Sequence, residues 1–152
     1  MSLSHFTFSG TTYEQGLAHG EALKESIIKN IEIYVIRFEN EAGISKNELL
    51  ENSGIYLNIL REQSPEYVNG MNGIAESSNL ELLEIAMLNL RYELLYHALG
   101  KILQSDAVDG CTSFAVLPEA TENNHLLVGQ NWDWIPDIEC VLTTSIDPDG
   151  LQ

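Results

Sequence analysis

Cysteine and long apolar runs are both scarce in this sequence. Only two of its 152 residues are cysteines, Cys111 and Cys140, which is too few for a disulfide framework and fits a reducing compartment. The N-terminus lacks the basic and apolar regions of a signal peptide, and no stretch approaches the ~20 apolar residues of a membrane span. We therefore expect a cytoplasmic protein that makes no use of a membrane.

Positive charge is also in short supply. Seven Lys and Arg residues stand against 23 Asp and Glu residues, which gives a formal net charge of −16. Such an excess repels phosphate backbones and anionic lipid headgroups, so nucleic acid and membrane surfaces are not expected partners. A hydrophobic content of 44% is typical of a soluble domain with a core, and we interpret the scattered acidic residues as its solubilising surface.

Helical periodicity dominates the chain up to about residue 105. Apolar residues at steps of three and four predict one long helix over 13–40, and Gly43 fits a helix stop. Gly16 and Gly20 lie four residues apart near the start of this helix, where each glycine costs about 1 kcal/mol relative to alanine. We expect that they allow close packing against another backbone.

Three further helices are predicted before residue 105. An S-x-x-E capping box at Ser45 starts the second helix, and Ser64 followed by Pro65 starts a short third one. Asn79 is expected to cap a fourth helix over 80–103, which is apolar on more than one side and should be buried between layers. Its polar residues are expected to be buried anchors that need partners: Asn89, Arg91 and Glu93.

The pattern changes to strands from residue 111 onwards. Three segments are rich in β-branched and aromatic residues, over 111–117, 126–134 and 139–146. Because no helix separates them, we predict an antiparallel meander. Cys140 would then be a structural residue within the third strand.

The second of these strands alternates in polarity. Trp132 and Trp134 are predicted on one face, as core residues or, less in keeping with their type, as a substrate wall. Asn131 and Asp133 are predicted on the other face. Either residue can be an ordinary polar residue of a strand, with Asn131 making a structural hydrogen bond.

The dipeptide Gly110–Cys111 offers unusual chemistry, because it joins a loop to the first residue of a strand. The Cys111 thiol can attack the Gly110 carbonyl to form a thioester that water hydrolyses, and glycine leaves this carbonyl accessible. The new α-amino group would titrate near pH ~8 and could serve as the general base for its own thiol. Asp109 is either an acid or base in this cut or a turn residue. Taken alone, a cysteine at a strand start is more often structural.

Two motifs in order, DGCTS (109–113) and GQNWDW (129–134), resemble those of the acyl-coenzyme A:6-aminopenicillanic acid acyltransferase family of N-terminal-nucleophile (Ntn) hydrolases. The stretch over 73–94 is similar to the helical hairpin before the family's cleavage site. The resemblance implies autocatalytic cleavage of an inactive precursor at Gly110–Cys111, with Cys111 as the mature nucleophile. It also implies that Asp133 holds the Cys111 amine and thiol in register.

The resemblance further implies an acyl-transfer reaction. A small-molecule amide or acyl thioester would form an acyl-enzyme on Cys111, and water or an amine would then take the acyl group. Thr112, Ser113 and Asn131 are candidates for the substrate or oxyanion pocket, although Thr112 and Ser113 can simply extend the strand. No Cys/His spacing fits a metal and no glycine-rich phosphate loop occurs, so we predict no cofactor.

The fold class predicted in this way is α+β, with helices followed by the first antiparallel strands of an αββα sandwich. Residues 1–110 would be a helical pro-segment resembling an α-subunit, and 111–152 the start of a β-subunit-like catalytic region. Family chains continue further, to strands and an oxyanion-hole asparagine with no counterpart here. We therefore expect a truncated chain that lacks the C-terminal half of the Ntn fold and is inactive alone.

Two other functions fit the same residues. The chain can be a non-catalytic helical pro-segment or partner-binding module in which Cys111 only packs. Cys111 can also be an acyl carrier or redox thiol that never becomes N-terminal. The oligomeric state stays open, with a homo-oligomer among the candidates.

Overall fold

The computed structural model describes residues 3–99, 111–135 and 137–150, and it is α+β as predicted. Two compact units divide the chain, one of Met1–Ile102 with Ile138–Gln152 and one of Leu103–Asp137. None of the helices in the described part is long and apolar enough to cross a membrane. The regular elements are β1 (His5–Ser9), α1 (Thr12–Arg37), α2 (Lys46–Gln63), α3 (Pro65–Ser78), α4 (Leu82–Asn89), α5 (Arg91–Leu99), β2 (Cys111–Val116), β3 (Leu127–Trp132) and β4 (Leu142–Ile146).

The first unit is organised around a close contact between α1 and α3. A β-carbon at Gly16 would overlap the carbonyl group of Gly70, and one at Gly20 would lie 2.6 Å from the Ile74 carbonyl oxygen. In the reverse direction, a β-carbon at Gly73 would lie 2.8 Å from the Leu17 backbone nitrogen. Only glycine allows two helical backbones to approach this closely. The predicted role of Gly16 and Gly20 is therefore confirmed.

The apolar stripe of α1 forms one wall of the helical core. A π-helical turn, Phe38–Ala42, extends α1 to Gly43, whose φ of 65° ends the helix where the sequence predicts a stop. Ser45 caps α2 by accepting the Glu48 backbone N–H at 3.3 Å. The core is built from large buried side chains of several helices: Ile27, Ile31, Tyr34, Phe38, Leu49, Leu57, Met71, Ile85 and Met87.

The predicted fourth helix is wrong in two respects. Asn79 does not cap it but ends α3 in the left-handed conformation at φ 58°, which asparagine tolerates better than most residues. The helix also breaks at Leu90 into α4 and α5. Arg91 stabilises the break, because its Nη1 donates to the carbonyl of Leu88 at 2.9 Å. The part of the predicted helix beyond Leu99 lies outside the described residues.

The polar residues at this break have different environments. Arg91 donates through Nε to the Tyr34 hydroxyl at 3.0 Å and lies 4.9 Å from the centre of the Tyr92 ring. The Tyr67 hydroxyl donates to Asn89 Oδ1 at 2.8 Å. Both residues therefore have partners, as predicted, but each is half-buried and not buried. Glu93 is exposed, so the prediction of burial is wrong for this carboxylate, which water solvates instead.

The third predicted strand pairs with the N-terminus. β4 lies parallel to β1, with His5 opposite Leu142 and Ser9 opposite Ile146. The predicted meander is thus wrong, because β4 forms its backbone hydrogen bonds with the N-terminal strand β1. The sequence had not predicted β1. Cys140 is exposed and precedes β4, so it is not a buried strand residue.

A buried glutamine joins α1 to this strand pair. Gln15 is only 9% exposed, and its Nε2 donates to the carbonyl of Gly10 at 2.8 Å. The same atom lies 3.4 Å from the Ile146 carbonyl oxygen and 3.3 Å from Asp147 Oδ1. The position of α1 thereby fixes the C-terminal ends of both strands.

The helix contact predicts opposite effects at two helical glycines. We expect Gly16→Ala to destabilise the chain by about 2–3 kcal/mol, because the new β-carbon meets backbone that cannot move away. Gly54→Ala is the matched control, since its β-carbon would meet only Leu83 Cδ2 at an ordinary 3.7 Å. This control should be stabilised by up to about 1 kcal/mol. Urea unfolding measures both changes, and equal effects would contradict the packing role.

A second prediction concerns Glu84, which accepts the Lys46 ammonium at 2.6 Å. Burial raises the pKa of this carboxyl, but hydrogen bonds from Lys46 and the Glu81 N–H outweigh it, so its pKa lies below 4.5. A lowered pKa stabilises the fold above the unfolded value, and this gain is lost as the pH falls through the folded value. Glu84→Gln should therefore cost about 0.5–1 kcal/mol at pH 7 and much less at pH 3. Unfolding at both pH values tests this, with the exposed Glu51→Gln as a control expected to show no such dependence.

Candidate active site

The second unit presents Cys111 at the open end of an antiparallel hairpin. β2 and β3 pair from Cys111 opposite Trp132 to Val116 opposite Leu127, which confirms the predicted antiparallel pairing of these strands. Directly opposite residues share a face of the sheet. Cys111 and Trp132 therefore lie on the same face as Ser113, which is opposite Gln130. Thr112 and its partner Asn131 lie on the other face.

The loop that joins the two strands is fixed by its own hydrogen bonds. The Thr121 hydroxyl lies 3.0 Å from the Pro118 carbonyl oxygen and 2.9 Å from that of His125. It also accepts the His125 backbone N–H at 3.1 Å. Asn124 adopts a left-handed φ of 53° within the turn. The register that sets Cys111 opposite Trp132 is thus defined at the closed end as well.

The two predicted catalytic residues occupy the same end of the hairpin. Cys111 is a free, exposed thiol at the first position of β2. Asp133 directly follows the strand partner of Cys111 and is also exposed. Among the described residues, neither side chain makes a hydrogen bond. Gly110 and Asp109 lie outside the described residues.

The tryptophans next to this site stack on each other. Their ring centres are 6.1 Å apart with an angle of 9° between the planes. Trp132 is 41% exposed and Trp134 is half-buried, so the prediction of core tryptophans is wrong for this hairpin. A two-stranded hairpin has no second layer that could enclose them.

Apolar exposure extends along the whole hairpin. Phe114 covers Gly129 across the strands, where a β-carbon would overlap its ring, yet Phe114 is itself 58% exposed. Other large apolar residues of the hairpin are equally accessible: Leu117, Leu126, Leu127 and Val128. Exposed apolar residues that share a face of the sheet, such as Phe114 and Leu127, are typical of interaction surfaces. The predicted site residues of the described hairpin therefore lie on an accessible surface.

This chain is 33% identical over 131 residues to the acyl-coenzyme A:6-aminopenicillanic-acid-acyltransferase 40 kDa form of Emericella nidulans, a match that covers 86% of the chain. Along the matched segment, the chain belongs to this acyltransferase family. The predicted family is thereby confirmed. A span of 131 residues in a chain of 152 necessarily includes residues 22–131, and therefore Cys111 and all of β2.

The match is partial in length. The chain spans about a third of the acyltransferase, 34% of its residues. No protein-family model matches the chain. Within the described ranges, no three His, Cys, Asp or Glu side chains are grouped so that they could hold a metal ion.

One polar cluster of the first unit was missed from the sequence. Glu139 accepts the Ser26 hydroxyl at 2.5 Å and the Lys29 ammonium at 2.8 Å. The hydrogen bonds from Lys29 and then Ser26, together with the Lys29 charge, lower the pKa of this carboxyl. The signal was the spacing S-x-x-K-N on α1, which places Ser26, Lys29 and Asn30 on one helical face.

The exposure of both thiols predicts their chemical accessibility. A thiol reagent such as 5,5′-dithiobis(2-nitrobenzoate) should label two equivalents in the native chain. Cys140→Ala should leave one equivalent, which belongs to Cys111, and Cys111→Ala should leave the other. Denaturant provides the control, because it should reveal no additional thiol. A Cys111 that reacts only after unfolding would contradict the exposed position at the start of β2.

Proposed function

We propose that this chain carries the self-processing site and the nucleophile of a cysteine Ntn amide hydrolase or acyltransferase. The observation that carries the proposal is the exposed Cys111 at the first position of β2, in a segment related to an acyltransferase. The chain would be made as a zymogen and would cut its own Gly110–Cys111 bond. Cys111 would then be the nucleophile in the self-cleavage, which resembles thiol-peptidase chemistry, and in amide hydrolysis or acyl transfer.

The self-cleavage is an acyl shift followed by hydrolysis. The Cys111 sulfur attacks the Gly110 carbonyl carbon, the thiol proton moves to the departing Cys111 nitrogen, and the C–N bond breaks. The product is a thioester between Gly110 and Cys111 with a free Cys111 α-amino group. Water then attacks the thioester, which leaves a Gly110 carboxylate and restores the thiol. No oxidant, metal or other cofactor is consumed.

The freed amine supplies the base for the second reaction. An α-amino group titrates near pH ~8, which suits proton transfer from a thiol at neutral pH. The Cys111 sulfur attacks a small-molecule amide or acyl thioester, and the leaving amine or thiol departs with a proton. Water or an amine then accepts the acyl group from the Cys111 thioester. Asp133, next to the strand partner of Cys111, would orient the ammonium form of this base.

The strand register favours some pocket residues over others. Ser113, Trp132 and Cys111 share one face, so the Ser113 hydroxyl and the Trp132 ring are the side chains closest to a bound acyl group. Thr112 and Asn131 point their side chains to the opposite face, and their contribution to an oxyanion pocket would be through backbone N–H groups. Losing one oxyanion donor costs on the order of 10²–10³ in rate.

We infer that acyl transfer needs more protein than the described hairpin. Its apolar side chains are accessible to water, and the chain spans about a third of its relative. Water competes with hydrogen bonds in an open site, and electrostatic stabilisation weakens there. The 152-residue chain alone is therefore proposed to be inactive as an acyltransferase.

A second candidate is a non-catalytic partner-binding module. The exposed apolar residues of the hairpin favour it, because Phe114 and Leu127 lie on one face of the sheet and offer a partner an apolar surface. In this case Cys111 would contribute surface only, and Gly110–Cys111 would stay intact. Self-cleavage therefore separates the two candidates.

The proposed function predicts cleavage that depends on one thiol. The complete gene product should appear by intact mass as two polypeptides, and the downstream one should begin with Cys111 by N-terminal sequencing. Cys111→Ala should abolish the cut, because no other atom takes the place of its sulfur.

Cys140→Ala is the matched control, since it removes the other exposed thiol and should cleave like the unaltered protein. A complete, unaltered protein that stays in one piece, yet is folded by circular dichroism, would rule out the Ntn mechanism.

A further inference from the structure

Glu139 is held by α1 through its side chain and its backbone together. Its carboxylate accepts Ser26 Oγ at 2.5 Å and Lys29 Nζ at 2.8 Å. Its backbone N–H donates to Asn30 Oδ1 at 2.9 Å, and its carbonyl accepts Asn30 Nδ2 at 3.0 Å. The Asn30 amide thus pairs with Glu139 as a neighbouring strand would.

The chain after Glu139 is attached to the N-terminus as well. β4 pairs with β1 over five residues on each strand, and the His5 ring lies 2.9 Å from the Thr144 hydroxyl. At either end, Leu142 donates to Ser4 at 2.9 Å and Gly10 donates to Ile146 at 3.1 Å. Gln15 adds its contacts to Ile146 and Asp147.

All of these contacts join residues that precede 100–110 to residues that follow it. From this placement we propose that Glu139, which binds Ser26, Lys29 and Asn30, acts as a latch. When the Gly110–Cys111 bond is cut, the latch keeps the segment after residue 110 bound to the segment before residue 100. The partner of the latch is thus the other half of the same chain. The role of the latch after self-processing rests on the proposed function. The contacts themselves do not depend on that function.

The chemistry of the latch favours specific over non-specific association. A carboxylate that accepts two hydrogen bonds, one from an ammonium, is stabilised more strongly than a neutral pair. The paired Asn30 amide also fixes the direction of the chain, because a reversed or shifted segment would leave its donor and acceptor unmatched. The parallel pairing of β4 with β1 sets the same chain direction through backbone hydrogen bonds.

The latch also has a role in keeping the nucleophile with the helices. Cys111 starts β2, and β2, β3 and β4 would all belong to the downstream product of a cut at residue 110. Only five residues lie between Asp133 and Glu139. A downstream product that left the helices would carry Cys111 and Asp133 away together.

A cut that does not depend on Cys111 tests the latch. In a Cys111→Ala background, residues 103–109 are replaced by the recognition sequence of a site-specific protease, and the purified full chain is cut by that protease. We expect the two halves to co-elute on size exclusion at micromolar concentration. Glu139→Ala should raise their dissociation constant about 3- to 10-fold, measured by sedimentation after dilution, because the pair with Lys29 is half exposed and Asn30 still binds the backbone.

Glu122→Ala is the matched control, because it removes one exposed negative charge from the same half. If Glu139→Ala lowers the helix content of the uncut chain, Lys29→Met and Ser26→Ala carry the test from the other half. Halves that separate at micromolar concentration, or a Glu139→Ala effect no larger than that of Glu122→Ala, overturn the latch. An unaltered protein that never cuts itself would refute only the proposed function, since this experiment supplies its own cut.

Discussion

The first unit depends on the distance between two helices. Gly16 and Gly20 on α1 face the backbone of α3 where no β-carbon fits, so the two helices approach to backbone contact. Once α1 is fixed, so are the groups that it carries: Gln15 at the ends of β1 and β4, and the cluster that binds Glu139. The Tyr13 hydroxyl donates to Glu76 across the same contact at 2.5 Å, and Thr12 donates to Glu66 at 2.9 Å. A small steric constraint therefore determines where distant parts of the chain can bind.

The parts of this structure that follow a local rule were predictable. The stripe of α1, the cap at Ser45 and the stop at Gly43 each depend on neighbours in sequence, and each was found. The spacing of Gly16 and Gly20 predicted a close backbone contact but not its partner α3. The break at Leu90 was not, because it has neither glycine nor proline and is stabilised by Arg91 reaching back to Leu88. β4 was predicted as a strand but given the wrong partner. Its true partner, β1, is separated from it by more than a hundred residues, and no local pattern encodes that pairing.

The features of the candidate site also fall into those set by local sequence and those set by distant parts of the chain. The cysteine at a strand start and its position near Asp133 follow from motif and register, which are local properties of one hairpin. Burial of the tryptophans does not, because it needs surfaces that a hairpin does not contain. Trp132 and Trp134 stack on each other and remain accessible, as do Phe114 and Val128. What a sequence motif provides is the placement of reactive groups, while the dielectric and shape around them come from elements far away in the chain.

The parallel pairing of β1 with β4 has a consequence for biosynthesis. β1 leaves the ribosome well before its partner, which ends at Ile146. At 5–20 residues per second, translation of the intervening chain takes on the order of ten seconds. Throughout that time the edge of β1 is unoccupied, and unpaired strand edges attract wrong partners. Nascent chains stalled before β4 should therefore be aggregation-prone, and chaperones that bind nascent chains would have their greatest effect in that interval.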